Sequence, residues 1–216
     1  MDEKKLRDLA EPLCDKVIRA IKGGQLEEAI ELVKQLTEES KRMHDVGFEF
    51  VWTLLTYIGR KCGDEAVGEA LRFRHENKPQ LSNVIAELKA EDRVEHIALA
   101  HRGHFSNITI SEEEDRFIIK LDPCGTGGRM WRKELVDSPQ NLHTIREAYE
   151  WTWGTENTPA YCAHCCVHEI MSMKGGSTAP PWITERPGNA VEPCYWFVYK
   201  KPELIPKTYL ERVGTL

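Results

Sequence analysis

Residues 107–122, NITISEEEDRFIIKLD, constrain the fold more than any other stretch of this chain. Ile108 and Ile110 alternate with polar residues, four successive acidic residues follow, and Phe117, Ile119 and Leu121 alternate again. Period-two alternation on both sides of a polar turn predicts a β-hairpin with one buried face. The run CYWFVY, Cys194 to Tyr199, is aromatic and β-branched and predicts a further strand of the same sheet.

Upstream of the hairpin the period changes to that of a helix. Leu26, Ala29, Ile30, Val33 and Leu36 recur at helical spacing after the Gly23-Gly24 break, and Gly47, Phe50, Val51, Leu54, Leu55 and Ile58 do so in the next segment. Both stripes read as core faces. Gly63-Asp64 reads as a helix stop and a new N-cap opening DEAVGEALRF, and a further helix is expected from about Pro79–Ser82 to Ala100. About five helices therefore precede the sheet. The fold class that follows is α+β, with an N-terminal helical region, 1–104, packed beside a mainly antiparallel sheet with helices, 105–216. Within the second part, the Pro- and Gly-rich stretch Gly175 to Pro193 is the one long irregular segment, of the kind that forms lids or binding loops.

Composition narrows the function. With 216 residues, 41% hydrophobic and 30% charged, the chain can bury a core without disulfides. No segment approaches the apolar length of a membrane span, and a net charge of −6 argues against a nucleic-acid partner. The acidic N-terminus, MDEKKLRDLA, does not read as a secretory signal, so a cytoplasmic protein is expected. In that compartment seven cysteines point to metal binding or catalysis rather than to disulfides. A homo-oligomer is compatible with all of this.

The chemistry concentrates in YCAHCCVHE, residues 161–169, which holds Cys162, His164, Cys165, Cys166 and His168. Cys162 and Cys165 form the CxxC half of a zinc-type site, and Cys124, Cys194 or a nearby imidazole such as His164 can complete a tetrahedron, with zinc or another transition metal such as iron as the ion. Cys14 and Cys62 read as packing, and Cys166 and His168 as facing the other side. The run CGTGGR offers an anion-binding nest at Gly125, Gly127 and Gly128 with Arg129 as a carboxylate or phosphate clamp; the plain alternative is a tight glycine turn. Beside it, Cys124 is also a candidate nucleophile. His101 and His104 share a helix face and can supply a ligand or general base, and Glu169 is a candidate acid/base. Trp131, Trp151, Trp153 and Trp182 divide between core and pocket lining.

A hairpin ending in a cysteine, a segment beginning Tyr-Cys and a cysteine opening an aromatic last strand (IIKLDPCG, AYC and EPCYWFVYK) resemble the L-2-amino-thiazoline-4-carboxylate hydrolase-like family, itself similar in outline to the vinyl-4-reductase-type domain. The resemblance covers about residues 105–200. The CGTGGR run and the AHCC cluster have no counterpart in that pattern. The resemblance implies hydrolytic opening of a small cyclic C–N bond, or ligand or metal capture without turnover.

The leading expectation is thus a metal- or Cys-dependent hydrolase or lyase of a small, anionic molecule. Cys162, Cys165 and Cys194 would hold the ion with Cys124 or His164, while Glu169 or His104 moves protons. The rival is a small-molecule- or tetrapyrrole-binding sensory module with a structural zinc site. A third reading, an interaction protein, requires an exposed apolar patch on the first helices.

Overall fold

A computed structural model describes residues 2–77, 81–133, 142–174, 177 and 179–214. The chain divides into two compact units, Met1–Gly47 and Phe48–Leu216. The division falls well before residue 104, so the helices from 48 to 103 belong to the same unit as the sheet.

The first unit contains α1 (Glu3–Ala10), α2 (Leu13–Lys22) and the start of α3 (Leu26–Cys62). The Asp2 side chain caps α1 by accepting from the Lys5 N–H at 2.8 Å. Gly23 and Gly24 separate α2 from α3, and Gly24 has φ +72°, where a side chain would be strained. The two periodic segments after this break form one helix, because the sequence between them holds no breaker. Their stripes are not core faces throughout. Ala29, Trp52 and Leu55 are buried, whereas Ile30, Val33, Phe50, Val51 and Leu54 are exposed.

In the second unit Gly63, at φ +89°, ends α3 and is N-cap to α4 (Asp64–Glu76). The expected helix from 79–82 to 100 is two helices, α5 (Leu81–Ala86) and α6 (Ala90–Gly103), since Lys89 takes an extended backbone as N-cap of the second. Pro79, proposed as its start, lies outside the described residues. The hairpin forms as expected. Strands β1 (Ile108–Glu112) and β2 (Arg116–Leu121) pair antiparallel with Ile110 opposite Ile119. The strand β6 (Cys194–Tyr199) adds to β2, with Leu121 opposite Cys194 and Ile119 opposite Trp196. Between them in sequence come α7 (Gly127–Arg132), the two-residue strands β3 (Thr144–Ile145) and β4 (Thr158–Pro159), α8 (Ala163–Lys174) and β5 (Ile183–Glu185), and α9 (Lys207–Arg212) follows. The sheet order is β1-β2-β6-β5, so a short strand stands inside the stretch read as irregular, with Thr184 opposite Trp196.

Register decides what each face of the sheet meets. Ile119, Leu121, Cys194, Trp196 and Thr184 share one face, which packs with Ile85, Val94 and Ile97 of α5 and α6. Ile183, Tyr199 and Phe197 share the other and pack with Ile205 and with Tyr209 and Leu210 of α9. The buried Arg93 of α6 ties helix to sheet by donating to the carbonyls of Pro181 (3.1 Å) and Tyr199 (2.7 Å). The third cluster packs α3, α4 and α8 around Trp52, Val67, Val167 and Ile170. The 142–146 segment is pinned to it by Trp52 Nε1–H donating to the His143 carbonyl and by the hydrogen bond between the His143 ring and the Asp64 carboxylate. Among the described residues no helix is long and apolar enough to cross a membrane.

Candidate functional site

A cavity of about 390 Å³ opens where the end of α6, the turn before α7, the start of α8 and the strands β5 and β6 converge. That volume lies within the range of small-molecule sites. Cys124, Cys162, Cys165 and Cys194 all line it. The sheet supplies two of them: Cys194 opens β6 opposite Leu121, and the chain leaving Leu121 reaches Cys124 three residues on. Of the other two, three and six residues beyond β4, Cys162 immediately precedes α8 and Cys165 lies in its first turn. The thiols feel one another. Burial, then the neighbouring Cys124, push the Cys162 thiol up to about 12. Burial pushes Cys165 well above the ordinary thiol range, with Cys194, Cys124 and Cys162 adding to it, and Cys194 behaves likewise beside Cys124 and Cys162. Among the described residues, however, no three His, Cys, Asp or Glu side chains stand at the spacing of metal ligands.

Imidazoles form the adjoining wall. His101, His104, His164 and His168 line the cavity. His164 donates its Nδ1–H to the Tyr161 carbonyl at 2.7 Å, which leaves Nε2, 3.7 Å from Cys165 Sγ, as the basic nitrogen. Burial first of all lowers His101 and His164 to about 4 and His168 to about 2, so all three are neutral near pH 7. His168, expected to face away, follows His164 by one turn and faces the same cavity. Cys166 does face away: its sulfur accepts from the Trp153 N–H at 3.2 Å and donates to the Glu150 carbonyl at 3.4 Å.

Aromatic rings close the space. Trp182 stacks on Trp196 with centroids 4.9 Å apart, and His101 meets Trp196 edge-on at 4.6 Å. Both His101 nitrogens and the Trp182 indole nitrogen are buried with no hydrogen-bond partner among the described residues. Edge-to-face packing against a π cloud recovers part of that loss. Trp131, Trp153 and Tyr161 complete the lining, whereas Trp151 belongs to the core.

The glycine run acts by close packing. A Cβ on Gly125 would meet the His104 carbonyl oxygen at 1.9 Å, one on Gly127 the Cys162 sulfur at 2.7 Å, and one on Gly128 the Cys124 Cβ at 3.1 Å. Gly125 N–H donates to Ser106 Oγ rather than into the cavity. Arg129 is not part of the lining. Its guanidinium donates to the carbonyls of Phe105 (2.9 Å) and His104 (3.4 Å), at the C-terminal end of α6. The arginines that do reach the cavity are Arg74, Arg132 and Arg186. Arg132 holds the 190–191 segment through the Ala190 (2.8 Å) and Val191 (3.0 Å) carbonyls. Arg186 stands near enough to Cys162 for its charge to oppose the rise of that thiol. Only its place in the Pro-rich stretch, beside Pro187, could have signalled it.

Glu169 stands one layer behind the cavity wall. It is fully buried, and its carboxylate accepts from the Thr184 N–H (2.6 Å), the Trp153 indole (3.3 Å) and Arg212 (3.1 Å). Burial raises it to about 7 against the pull of Arg212. It braces Trp153 and Thr184, both of which line the cavity. No family model matches this chain, and no curated protein or solved structure matches it either.

Proposed function

We propose that the chain is a hydrolase or lyase of a small molecule, with a soft metal ion held by Cys162, Cys165 and Cys194 and a fourth position taken by Cys124 or His164. One observation carries the reading: four thiols from three segments line one cavity, and burial and the neighbouring thiols raise Cys162, Cys165 and Cys194 above the ordinary thiol range. Thiols crowded in this way resist ionisation until a cation joins them, and thiolate with neutral imidazole is the donor set of zinc or iron sites. The donors fit in kind; ligation requires the cysteine side chains to turn toward a common point, since as placed they do not converge. A bound ion would supply Lewis acidity at the cavity wall.

The chain's own groups take the remaining roles. His164 Nε2, with its Nδ1–H fixed on Tyr161, is placed to accept a proton, and His101, His104 and His168 are within the same enclosure. Arg186 replaces Arg129 as the cation for an anionic group on the substrate. The metal-free variant has less support: the near neighbour of the Cys124 sulfur is the Thr126 hydroxyl at 3.2 Å rather than an imidazole.

The second reading, a ligand-binding sensory module with a structural zinc, keeps all four thiols on the ion. Its tetrapyrrole form fares worse, because about 390 Å³ lies at the low end of ligand cavities. Metal content under reducing conditions, for wild type, Cys162→Ser and Cys194→Ser, decides whether there is an ion. One equivalent in wild type, lost in both variants, is expected; none after supplying zinc or iron sinks both readings. Cobalt substitution then separates them. Visible bands that shift on adding azide report an open coordination position and an enzyme, and unmoved bands report a closed structural site.

A further inference from the structure

Five aromatic rings of the second unit follow one another in contact. His75 tilts against His168 with centroids 4.4 Å apart, His168 meets Trp182 edge-on at 5.0 Å, Trp182 stacks on Trp196 at 4.9 Å, and Trp196 meets His101 edge-on at 4.6 Å. The last four line the cavity. We infer, resting on the reading of this cavity as a substrate site, that its substrate is a flat aromatic anion carrying hydrogen-bond acceptors on its ring. The ring lies against Trp182 and Trp196, its acceptors take the N–H groups of Trp182 and His101, and its anionic group meets Arg186.

Donors on three of the lining side chains argue for the acceptors. Trp182 and His101 are only 4 and 6% exposed, and the Trp182 indole nitrogen, both His101 nitrogens and Arg186 Nε are buried with no hydrogen-bond partner among the described residues. An indole and a guanidinium can only donate, and a neutral imidazole carries one N–H. A buried donor without a partner costs more than a hydrogen bond contributes, so a molecule that brings acceptors to these groups gains on entry what an aliphatic molecule of the same size does not.

Charge argues for the anion. Of the arginines at the cavity, Arg132 is engaged with Asp122, whereas neither Arg74 nor Arg186 has a carboxylate partner among the described residues. Arg186 donates to the Pro187 carbonyl at 2.9 Å and reaches Thr155 Oγ1 at 3.4 Å, and the Trp131 ring, 5.8 Å from its guanidinium carbon, holds it at the lining. Glu192 is the carboxylate among the lining residues and accepts from the Gly188 N–H at 3.3 Å. The row of rings argues for flatness, because aromatic pairs in offset-stacked and edge-to-face geometry gain beyond the area they bury, and a cavity of about 390 Å³ suits a ligand of two fused rings.

The test is calorimetric titration of the full chain with quinoline-4-carboxylate, in reductant and chelator so that no ion contributes. Binding tighter than about 1 mM is expected. Naphthalene-1-carboxylate, with C–H in place of the ring nitrogen, and adamantane-1-carboxylate, an apolar anion of similar size that is not flat, should each bind about tenfold more weakly. Trp182→Phe and His101→Phe keep a ring and lose a donor, and the gap between the quinoline and naphthalene acids should close in one of them. Arg186→Met should weaken quinoline-4-carboxylate about tenfold and leave quinoline itself unchanged. No binding of quinoline-4-carboxylate at about 1 mM, equal binding of the three acids, or a gap that survives in both ring variants overturns the inference. If Arg186→Met fails to fold, the ring variants and the wild-type ratios decide. Metal content separates this from the preceding reading: an ion without binding of these acids removes the aromatic anion alone, and binding without an ion removes the metal alone.

Discussion

The sulfur of Cys162 lies 2.7 Å from where a Cβ on Gly127 would stand. Real side chains do not approach so closely, so the glycine of α7 is what admits the thiol just before α8 to the cavity. Gly127→Ala should destabilise the fold by about 1–3 kcal/mol, although alanine is the better helix former, because the Cys162 side chain and the Tyr161 ring must move. Urea denaturation measures it. Unchanged stability would mean that the turn and α8 are not held at this distance.

Thiol accessibility should divide the seven cysteines. Cys14 and Cys62 are exposed on helices, whereas Cys162, Cys165 and Cys194 are held protonated by burial and by each other. Thiolate is the reactive form. A disulfide reagent at pH 8 is expected to modify Cys14 and Cys62 quickly and Cys162, Cys165, Cys166 and Cys194 slowly, with all seven cysteines reacting in denaturant. A fast phase of five or more would show that the cavity thiols are neither shielded nor raised.

Arg212 is the counterion of a carboxylate with no exposed surface, Glu169, and also donates to Glu185 and the Thr184 carbonyl. Removing one partner of a buried pair costs more than the pair contributes. Arg212→Met is therefore expected to lose about 3 kcal/mol near pH 8 and to regain part of it near pH 5, where Glu169 takes up a proton. Glu169→Gln, which keeps an acceptor for the Thr184 N–H, should lose less. Equal losses for Arg212→Met at both pH values would remove the charge of Glu169 from the explanation.

The antiparallel sheet was legible because its signals are local. Alternation in 108–121 gave the hairpin, and the aromatic run gave the strand that carries Cys194. Cys124, Cys162, Cys165 and Cys194 could be foreseen as neighbours for the same reason: each sits just beyond or at the start of an element. The helix faces are less legible, because periodicity reports amphipathicity without saying which surface covers it. Phe50 and Leu54 keep the spacing of core residues and stand exposed. Arg129 and Arg186 were indistinguishable in sequence. What separates them is a tertiary accident of reach, which turns the first onto the carbonyls at the end of α6 and the second toward Cys162. His168 repeats His164 four residues on, and that spacing places both on one face only once α8 is known to be a helix.

Stability should fall on both sides of neutrality, and the acid side carries the sharper argument. Burial lowers His75, His101 and His164 to about 4 and His168 to about 2, from an ordinary value of 6.5. Between pH 6.5 and 4 the unfolded chain therefore binds protons that the folded chain refuses, and stability drops as pH is lowered through that window. Glu169 acts in the opposite sense. Raised from 4.5 to about 7, it is protonated in the folded state while still ionised in the unfolded chain, so its contribution grows as pH falls from 7 to 4.5. Four histidines against one carboxyl leave a net loss on acidification. On the alkaline side, Cys162 at about 12 keeps its proton while unfolded thiols ionise above pH 9, so stability falls again. Denaturation in chelator and reductant at pH 5.0, 7.5 and 9.5 should show the maximum at 7.5. The chelator matters, because a bound ion would take the place of the thiol protons and abolish the alkaline arm. Greater stability at pH 5.0 than at 7.5 would mean that the folded protein binds more protons than the unfolded chain over this window, so that burial does not hold these imidazoles below their ordinary value.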